Sequence, residues 1–278
     1  MFLATIVLAI MHSMVRYISG ELHPFMVVFF RNLFGLLFII PLVWRNGLSD
    51  MKTTRPRLTL LRAVSGIIAM VCWFYGLAKV PTAEATALSF TAAIFTALIA
   101  FIFLREKMKL RRWAAIGSGF FGVIIVLQPN TENFNPYMLL ILVSCVFWGF
   151  SVTLVKLLTR SDSTTSIVAW MSILLTLFSL PMAWLNWSTP SLEQLGILLC
   201  MGILGTLGHL GMARALALAD TTAVMSIDFM RLIWAALIGI YFFDDPFDGY
   251  TWIGALVIFA SGLYIIFRES VVKRKVEA

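Results

Sequence analysis

Charge is scarce in this chain. Only 13% of its 278 residues are Asp, Glu, Lys or Arg, about half the share of an ordinary soluble domain, while 60% are hydrophobic and the mean hydropathy is +0.94. That balance excludes a soluble globular protein. Cysteine is scarcer still. Cys72, Cys145 and Cys200 all fall in apolar runs, too far apart to form a metal or redox motif, and a thiol in such a run behaves as a small hydrophobe. No Gly-Lys pair exists from which to build a nucleotide-binding P-loop, and the longest connection between apolar runs, residues 45–59, cannot house an ATPase. Metal-ligand clusters and a nucleophile with a base at recognisable spacing are also missing, which argues against an enzyme. The first apolar run starts without a basic segment and ends without a small-residue cleavage site, so it is expected to span a membrane and not to act as a signal peptide.

Long apolar runs are what the chain does have. Segments such as "FGLLFIIPLVW" (34–44) and "WIGALVIFASGLYIIF" (252–267) recur between short polar breaks, and with their flanks each approaches the roughly 20 residues that cross a bilayer as helix. Ten spans are expected, at about 2–18, 25–44, 60–78, 83–104, 113–128, 137–157, 164–185, 194–213, 221–243 and 250–267. Most of the 21 Lys and Arg gather on one side of them: Arg45 to Arg62 around the second connection, Arg105 to Arg112 around the fourth, Lys156 and Arg160, Arg214, and the tail from Arg268 to Lys275. The other side has Arg16 and Lys79 beside Glu21, Glu132, Glu193 and the acidic "DDPFD" of 244–248. The positive-inside rule then puts both termini in the cytoplasm. The net charge of +7 reports this topology and gives no reason to expect nucleic acid as a partner.

The chain also repeats itself. Pro41 and Trp44 in "IIPLVW" recur as Pro181 and Trp184 in "SLPMAW", Phe90 recurs as Phe229, and Trp113 as Trp252. In the same register Gly202, Gly205, Gly208 and Gly211 fall opposite Ala63, Gly66, Ala69 and Cys72, all small. A unit of five helices is odd, so its second copy must enter the membrane from the opposite side. The basic "REKMKLRR" of 105–112 corresponds in that register to "DDPFDGYT" of 244–251, which has no basic residue, as expected if the two lie on opposite sides. The expected fold is an all-α membrane protein of ten transmembrane helices, built as two inverted five-helix repeats, 1–130 and 131–278, that form one domain. Inverted repeats of this kind place a substrate near the bilayer midplane between the halves.

Several stretches resemble the drug/metabolite transporter superfamily in its EamA-type, ten-helix form: "FFRN" (29–32), "RPRLTLLRAVSGIIAMVCWFYGLAKVP" (55–81), "FLREK" (103–107), "ALALADTTAV" (215–224), "FMRLIWAALIG" (229–239) and "WIGALVIFASGLYI" (252–265). The 55–81 stretch looks most like the group that includes bacterial S-adenosylmethionine carriers. Asp-Asp at 244–245 departs from the Gly-Glu frequent in the family. The resemblance implies a bacterial inner-membrane transporter of small metabolites. It also implies a central cavity lined by the first, third, fourth, sixth, eighth and ninth helices, with the fifth and tenth at the periphery. Trp73, Tyr75, Trp148 and Trp234 lie in those cavity helices and could stack on a planar or cationic substrate.

Two charges inside the ninth span, Asp228 and Arg231, form the leading candidate site. At 1.5 Å per residue they lie roughly 10 and 15 Å into the helix, near mid-bilayer, and their spacing of three puts them on one face, where they could pair. A charge at that depth costs at least about 2.5 kcal/mol. It therefore faces a partner or a wet cavity. Their counterparts in the first repeat, Ser89 and Ala92, are uncharged, so the scaffold does not require the pair. Either it locks two helices together, or Arg231 receives an anionic group of the substrate and Asp228 a cationic group or a transported proton. Arg31, inside the second span, could contact substrate or hold backbone carbonyls. Arg16 and Glu84, near the outer ends of the first and fourth spans, could pair as a gate or anchor at the surface. His209 could couple protons or be merely hydrogen-bonded. The expected activity is secondary transport of a small polar or zwitterionic metabolite by alternating access, without a cofactor or metal. The partners expected are the bilayer, the substrate, protons and a second copy in a homodimer. The alternative is a structural or regulatory membrane subunit that keeps the scaffold but moves nothing.

Overall fold

The computed structural model describes residues 1–46, 51, 53–104, 110–128, 134–218, 224, 227–228, 230–244 and 249–277. These are helical apart from short turns: α1 (Phe2–Ile18), α2 (Pro24–Asn46), α3 (Pro56–Leu77), α4 (Thr82–Ser89), α5 (Thr91–Leu104), α6 (Leu110–Leu127), α7 (Met138–Leu158), α8 (Thr164–Leu185), α9 (Leu192–Leu218), α10 (Met230–Phe243) and α11 (Gly249–Glu277). Five of them, α2, α3, α7, α8 and α9, are long and apolar enough to cross a membrane, and α1, α6, α10 and α11 contain shorter apolar stretches. The expected spans begin and end close to these helices, with three differences. The eighth runs longer, through Leu218, the tenth continues to Glu277, and the fourth is broken at Phe90. The basic run 105–109, the acidic 245–248 and most of 219–229 lie outside the described residues.

The break has a local cause. Ser89 Oγ donates to the Thr86 carbonyl and Thr91 Oγ1 to the Leu88 carbonyl, each at 2.7 Å, while Cys145 Sγ from α7 reaches Leu88 as well. Hydroxyls that engage nearby carbonyls compete with the helical ladder, and inside a membrane such side chains are what makes a broken helix tolerable. The Phe90 N–H bonds instead to the Ala87 carbonyl, three residues back.

Helix α3 packs on α7, α1 on α9, α2 on both α8 and α9, α8 on α3, α4 on α10, and α6 on α11. Exchanging each helix for its counterpart in the other half maps these pairs onto one another or onto themselves. Turns behave alike too. After α1 the N–H groups of Ser19, Glu21 and Leu22 reach the carbonyls of Val15, Ile18 and Ile18, and after α7 those of Thr159, Ser161 and Asp162 reach Val155, Leu158 and Leu158. Trp44 and Trp184 are 73% and 72% exposed, as rings seated in a membrane interface would be.

The pair α6 and α11 stands apart from the centre. A Cβ at Gly122 would lie 2.9 Å from the Gly254 carbonyl, and one at Gly254 2.8 Å from the Gly122 carbonyl. Two backbones approach that closely only through glycine. Ser118 and Ser261 hydroxyls join at 2.9 Å beside this contact. Phe121, Ile124, Ile253 and Leu256 turn outward and are exposed. Helices α1, α2, α3, α7, α8 and α9 supply most of the apolar core.

Candidate functional site

At the centre of the bundle the helices part around a cavity that leaves about 80 Å³ for the centres of water molecules, enough for several. Its wall is mixed. Leu8, Met11 and His12 come from α1, Trp73 and Phe74 from α3, Trp148 and Cys145 from α7, and Met171 and Leu175 from α8. The cationic and imidazole groups among the lining residues are Arg31, Arg62, Arg231, His12 and His209. A second, smaller cavity of about 20 Å³ by the same measure lies towards the end of α7, lined by Ser151, Val155, Ala213 and Leu216 among others. Arg62, Trp148, Met171 and His209 line both. They form the waist between the two chambers.

Asp228 and Arg231 meet as their spacing predicts, with Arg231 Nη2 donating to Asp228 Oδ2 at 3.1 Å; they are 6% and 8% exposed. The same Nη2 also donates to Ser89 Oγ at 3.3 Å, so the end of broken α4 is held against the pair. Arg231 further lies 5.8 Å from the centre of the Phe90 ring, within cation–π range. The pair is incompletely satisfied. Asp228 Oδ1 and Arg231 Nε are buried with no protein partner among the described residues.

The other expected site residues divide. Arg31 reaches the cavity at 1% exposure and donates from Nη1 to Asn32 Oδ1 at 2.7 Å. Trp73 lines the cavity with its ring centre 5.1 Å from that of His12, and Trp148 lines it with its ring 5.8 Å from His209. Tyr75 does not join them: its hydroxyl is 3.0 Å from His23 Nε2 and its ring packs on Phe25. Residues two apart on a helix face different ways, so Trp73 and Tyr75 cannot both point inward. Trp234 packs edge-on against Phe2 at 6.0 Å and keeps a buried, unpartnered indole N–H; it is not among the cavity-lining residues. Arg16 lies over the Phe243 ring at 4.6 Å, and Glu84 occupies the first turn of α4.

Arg62 and His12 were not among the expected site residues. Arg62 falls at the start of the third expected span, 60–78, and was counted with the basic connection before it at the cytoplasmic side, yet it is 5% exposed within α3 and borders both chambers. Its signal was the apolar "LTLL" that precedes it and the glycine one turn on: a Cβ at Gly66 would collide with Arg62 Nη1. His12 is 8% exposed with Nδ1 unpartnered, amid "VLAIMHSMV".

The sequence matches the EamA-like transporter family twice, over residues 1–128 and 135–268. This chain belongs to the EamA-like transporter family. It is accordingly a multi-pass membrane transporter of α-helical build and not an enzyme. The transporter is 32% identical to the S-adenosylmethionine uptake transporter of Rickettsia felis over 256 residues, 92% of this chain and 87% of that one. It is also 32% identical to the riboflavin transporter of Rhizobium johnstonii over 99% of this chain and 92% of that protein. The pseudopaline exporter CntI of Pseudomonas aeruginosa is 27% identical over 92% and 90%. Among solved structures, a crystal structure with 16% sequence identity superposes with a TM-score of 0.67 over 100% of this chain and 96% of its own, a likeness of fold alone. The transporter's cavity is lined by the helices the family resemblance implies, joined by α2 and α8, while α6 and α11 stay outside it.

Proposed function

We propose that this protein is a secondary transporter of a small polar metabolite that carries both an anionic and a cationic group, moved by alternating access of the central cavity. The observation that carries this reading is the half-satisfied pair at the edge of the cavity: Arg231 lines it and keeps Nε without a protein partner among the described residues, and Asp228, bonded to Arg231 but not itself a lining residue, keeps Oδ1 so. A substrate carboxylate at Arg231 and an ammonium at Asp228 would complete both. Asp228 would alternatively take up the proton that couples transport to a gradient. Relatives named for S-adenosylmethionine, riboflavin and pseudopaline support a metabolite of that size. A chamber with room for several waters and Arg231 on its wall argues against a subunit that moves nothing.

The two halves, 1–130 and 131–278, are in this reading inverted repeats, supported by the interchangeable helix pairs, the matching turns and the double family match. Both termini lie in the cytoplasm of a bacterial inner membrane by the distribution of Lys and Arg. His209 and Arg62 at the waist then separate the central chamber from the cytoplasmic one.

Uptake into proteoliposomes of a labelled panel (amino acids, S-adenosylmethionine, riboflavin and a cationic drug), with and without a proton gradient, tests the proposal. Wild type is expected to show saturable uptake of a panel member. Arg231→Ala should reduce it at least about tenfold, the scale of a lost charge-assisted hydrogen bond. Asp228→Asn should abolish stimulation by the gradient. Undiminished transport in both variants would make the charges a structural pair and move the site elsewhere.

A further inference from the structure

One charge pair does not account for the electrostatics of the cavity. Arg31, Arg62 and Arg231 all line it and are 1%, 5% and 8% exposed. Among its described lining residues there is no Asp or Glu, and the carboxylate at hand, Asp228, is engaged by Arg231. Arg31 has Asn32 Oδ1 as its acceptor and Arg62 has Met171 Sδ, at 3.0 Å; neither is charged, and a thioether accepts weakly. Nε and Nη2 of Arg31, and Nε and Nη1 of Arg62, are buried with no protein partner among the described residues. A guanidinium does not escape such a position by losing its proton at neutral pH. Buried cations on a wet cavity pair with a counter-charge or mark the path of a charged substrate.

The fold makes room for both groups deliberately. A Cβ at Gly205 of α9 would stand 2.7 Å from Arg31 Nε, and one at Gly66 would meet Arg62 Nη1 closer still. Each guanidinium therefore rests on bare helix backbone with its remaining N–H donors unspent. Five such donors, counting Arg231 Nε, belong to one chamber.

We propose that Arg31 and Arg62 form a second anion subsite, so that the transported metabolite carries a further carboxylate, sulfonate or phosphate beside the group met by Arg231. This rests on the transport reading above and narrows it to acidic metabolites with two separated anionic groups. S-adenosylmethionine, with one carboxylate against an ammonium and a sulfonium, would instead bring net positive charge into a chamber already rich in it. A phospholipid headgroup offers the same chemistry as a soluble anion; the subsite is assigned to the soluble metabolite.

The test uses the full chain in phosphatidylcholine nanodiscs and the fluorescence of Trp73 and Trp148 in the cavity wall. Glutamate, citrate, glutamine and S-adenosylmethionine are titrated at constant ionic strength. Glutamate or citrate is expected to bind at least about tenfold more tightly than glutamine or S-adenosylmethionine, the scale of one added charge-assisted contact. Arg62→Met and Arg31→Met should bring the ratio of glutamate to glutamine affinity towards one. Arg62→Lys, which keeps the charge, should retain part of the preference and controls for misfolding. Equal or tighter binding of glutamine or S-adenosylmethionine, a preference that survives both methionine variants, or no response to any probe would overturn the proposal. Displacement of citrate by added phosphatidylglycerol would overturn its assignment to a soluble metabolite. Proteoliposome uptake separates the two readings. If the acidic probes bind selectively but nothing is carried, the transport cycle falls and the subsite stands; if a panel member is carried without preference for a second anion, the subsite falls alone.

Discussion

A single hydrogen atom in place of a side chain decides where Arg31 can lie. At Gly205 even a methyl group would press into the guanidinium, which would have to turn away into the cavity it lines. Gly205→Ala is therefore expected to cost little stability, because the obstructing atoms end a flexible side chain beside a cavity, and to weaken binding of citrate about tenfold or more by turning the guanidinium aside. Thermal unfolding in detergent and the fluorescence titration read the two effects separately. At this scale the sequence was half legible. Asp228 and Arg231 stood out because charge within an apolar run has few explanations, and their pairing followed from spacing alone. Arg62 did not stand out, because a count of basic residues by side groups it with Arg55 and Arg57 in the preceding stretch, and only the helix register carries it inward. Tyr75 looked equivalent to Trp73 by composition, whereas the helical turn between them sends it to His23 and Phe25.

Among the elements, hydropathy located the spans well because the bilayer imposes one length on all of them. The break at Phe90 was beyond its reach: "ALSFTAAIF" carries no charge to interrupt the hydropathy, and Ser89 and Thr91 bond to carbonyls three residues back as Ser65 and Ser144 do inside unbroken helices. Ser89→Ala removes one acceptor from Arg231 and is expected to weaken glutamate binding by about threefold to tenfold, the worth of a single hydrogen bond. The glycine contact between α6 and α11 provides the opposite case. Gly122→Ala should destabilise the protein by about 1–3 kcal/mol, since the obstructing atoms belong to the α11 backbone and cannot swing away. Because neither helix lines the cavity, its affinity for citrate should stay within about twofold of wild type. A large loss of affinity in Gly122→Ala would show that the peripheral pair reaches the site.

Over the whole molecule, the connections at the two ends are tied in related ways. Asp162, in the turn after α7, accepts hydrogen bonds from Thr53 Oγ1 at 2.6 Å and from the Thr54 hydroxyl and N–H at 2.9 and 3.2 Å. At the far end Glu21, in the turn after α1, accepts from Gln194 at 2.8 Å. Partial burial opposes ionisation of Asp162, but the hydrogen bonds from Thr53, Thr54 and Ser161 outweigh it and hold the carboxyl below its usual range. Its folded-state pKa is thus lower than its unfolded one, so the tie contributes stability at neutral pH and loses it as pH falls through the carboxylate range. The gap in melting temperature between wild type and Asp162→Asn should be constant above about pH 5 and narrow below about pH 4. A gap that widens on acidification would contradict that sign. On the proposed repeat, Arg31 of α2 corresponds to Met171 of α8, and Arg62 of α3 to Met201 of α9, which stands one turn from Gly205. Read column by column, these are two mismatches between the halves. Read by helix pair, α3 with α8 carries Arg62, Gly66 and Met171, and α2 with α9 carries Arg31, Gly205 and Met201, so that cation and sulfur are traded between packed helices. If the halves are repeats as proposed, their kinship here lies in the residue types each helix pair shares, which a residue-by-residue score would not register.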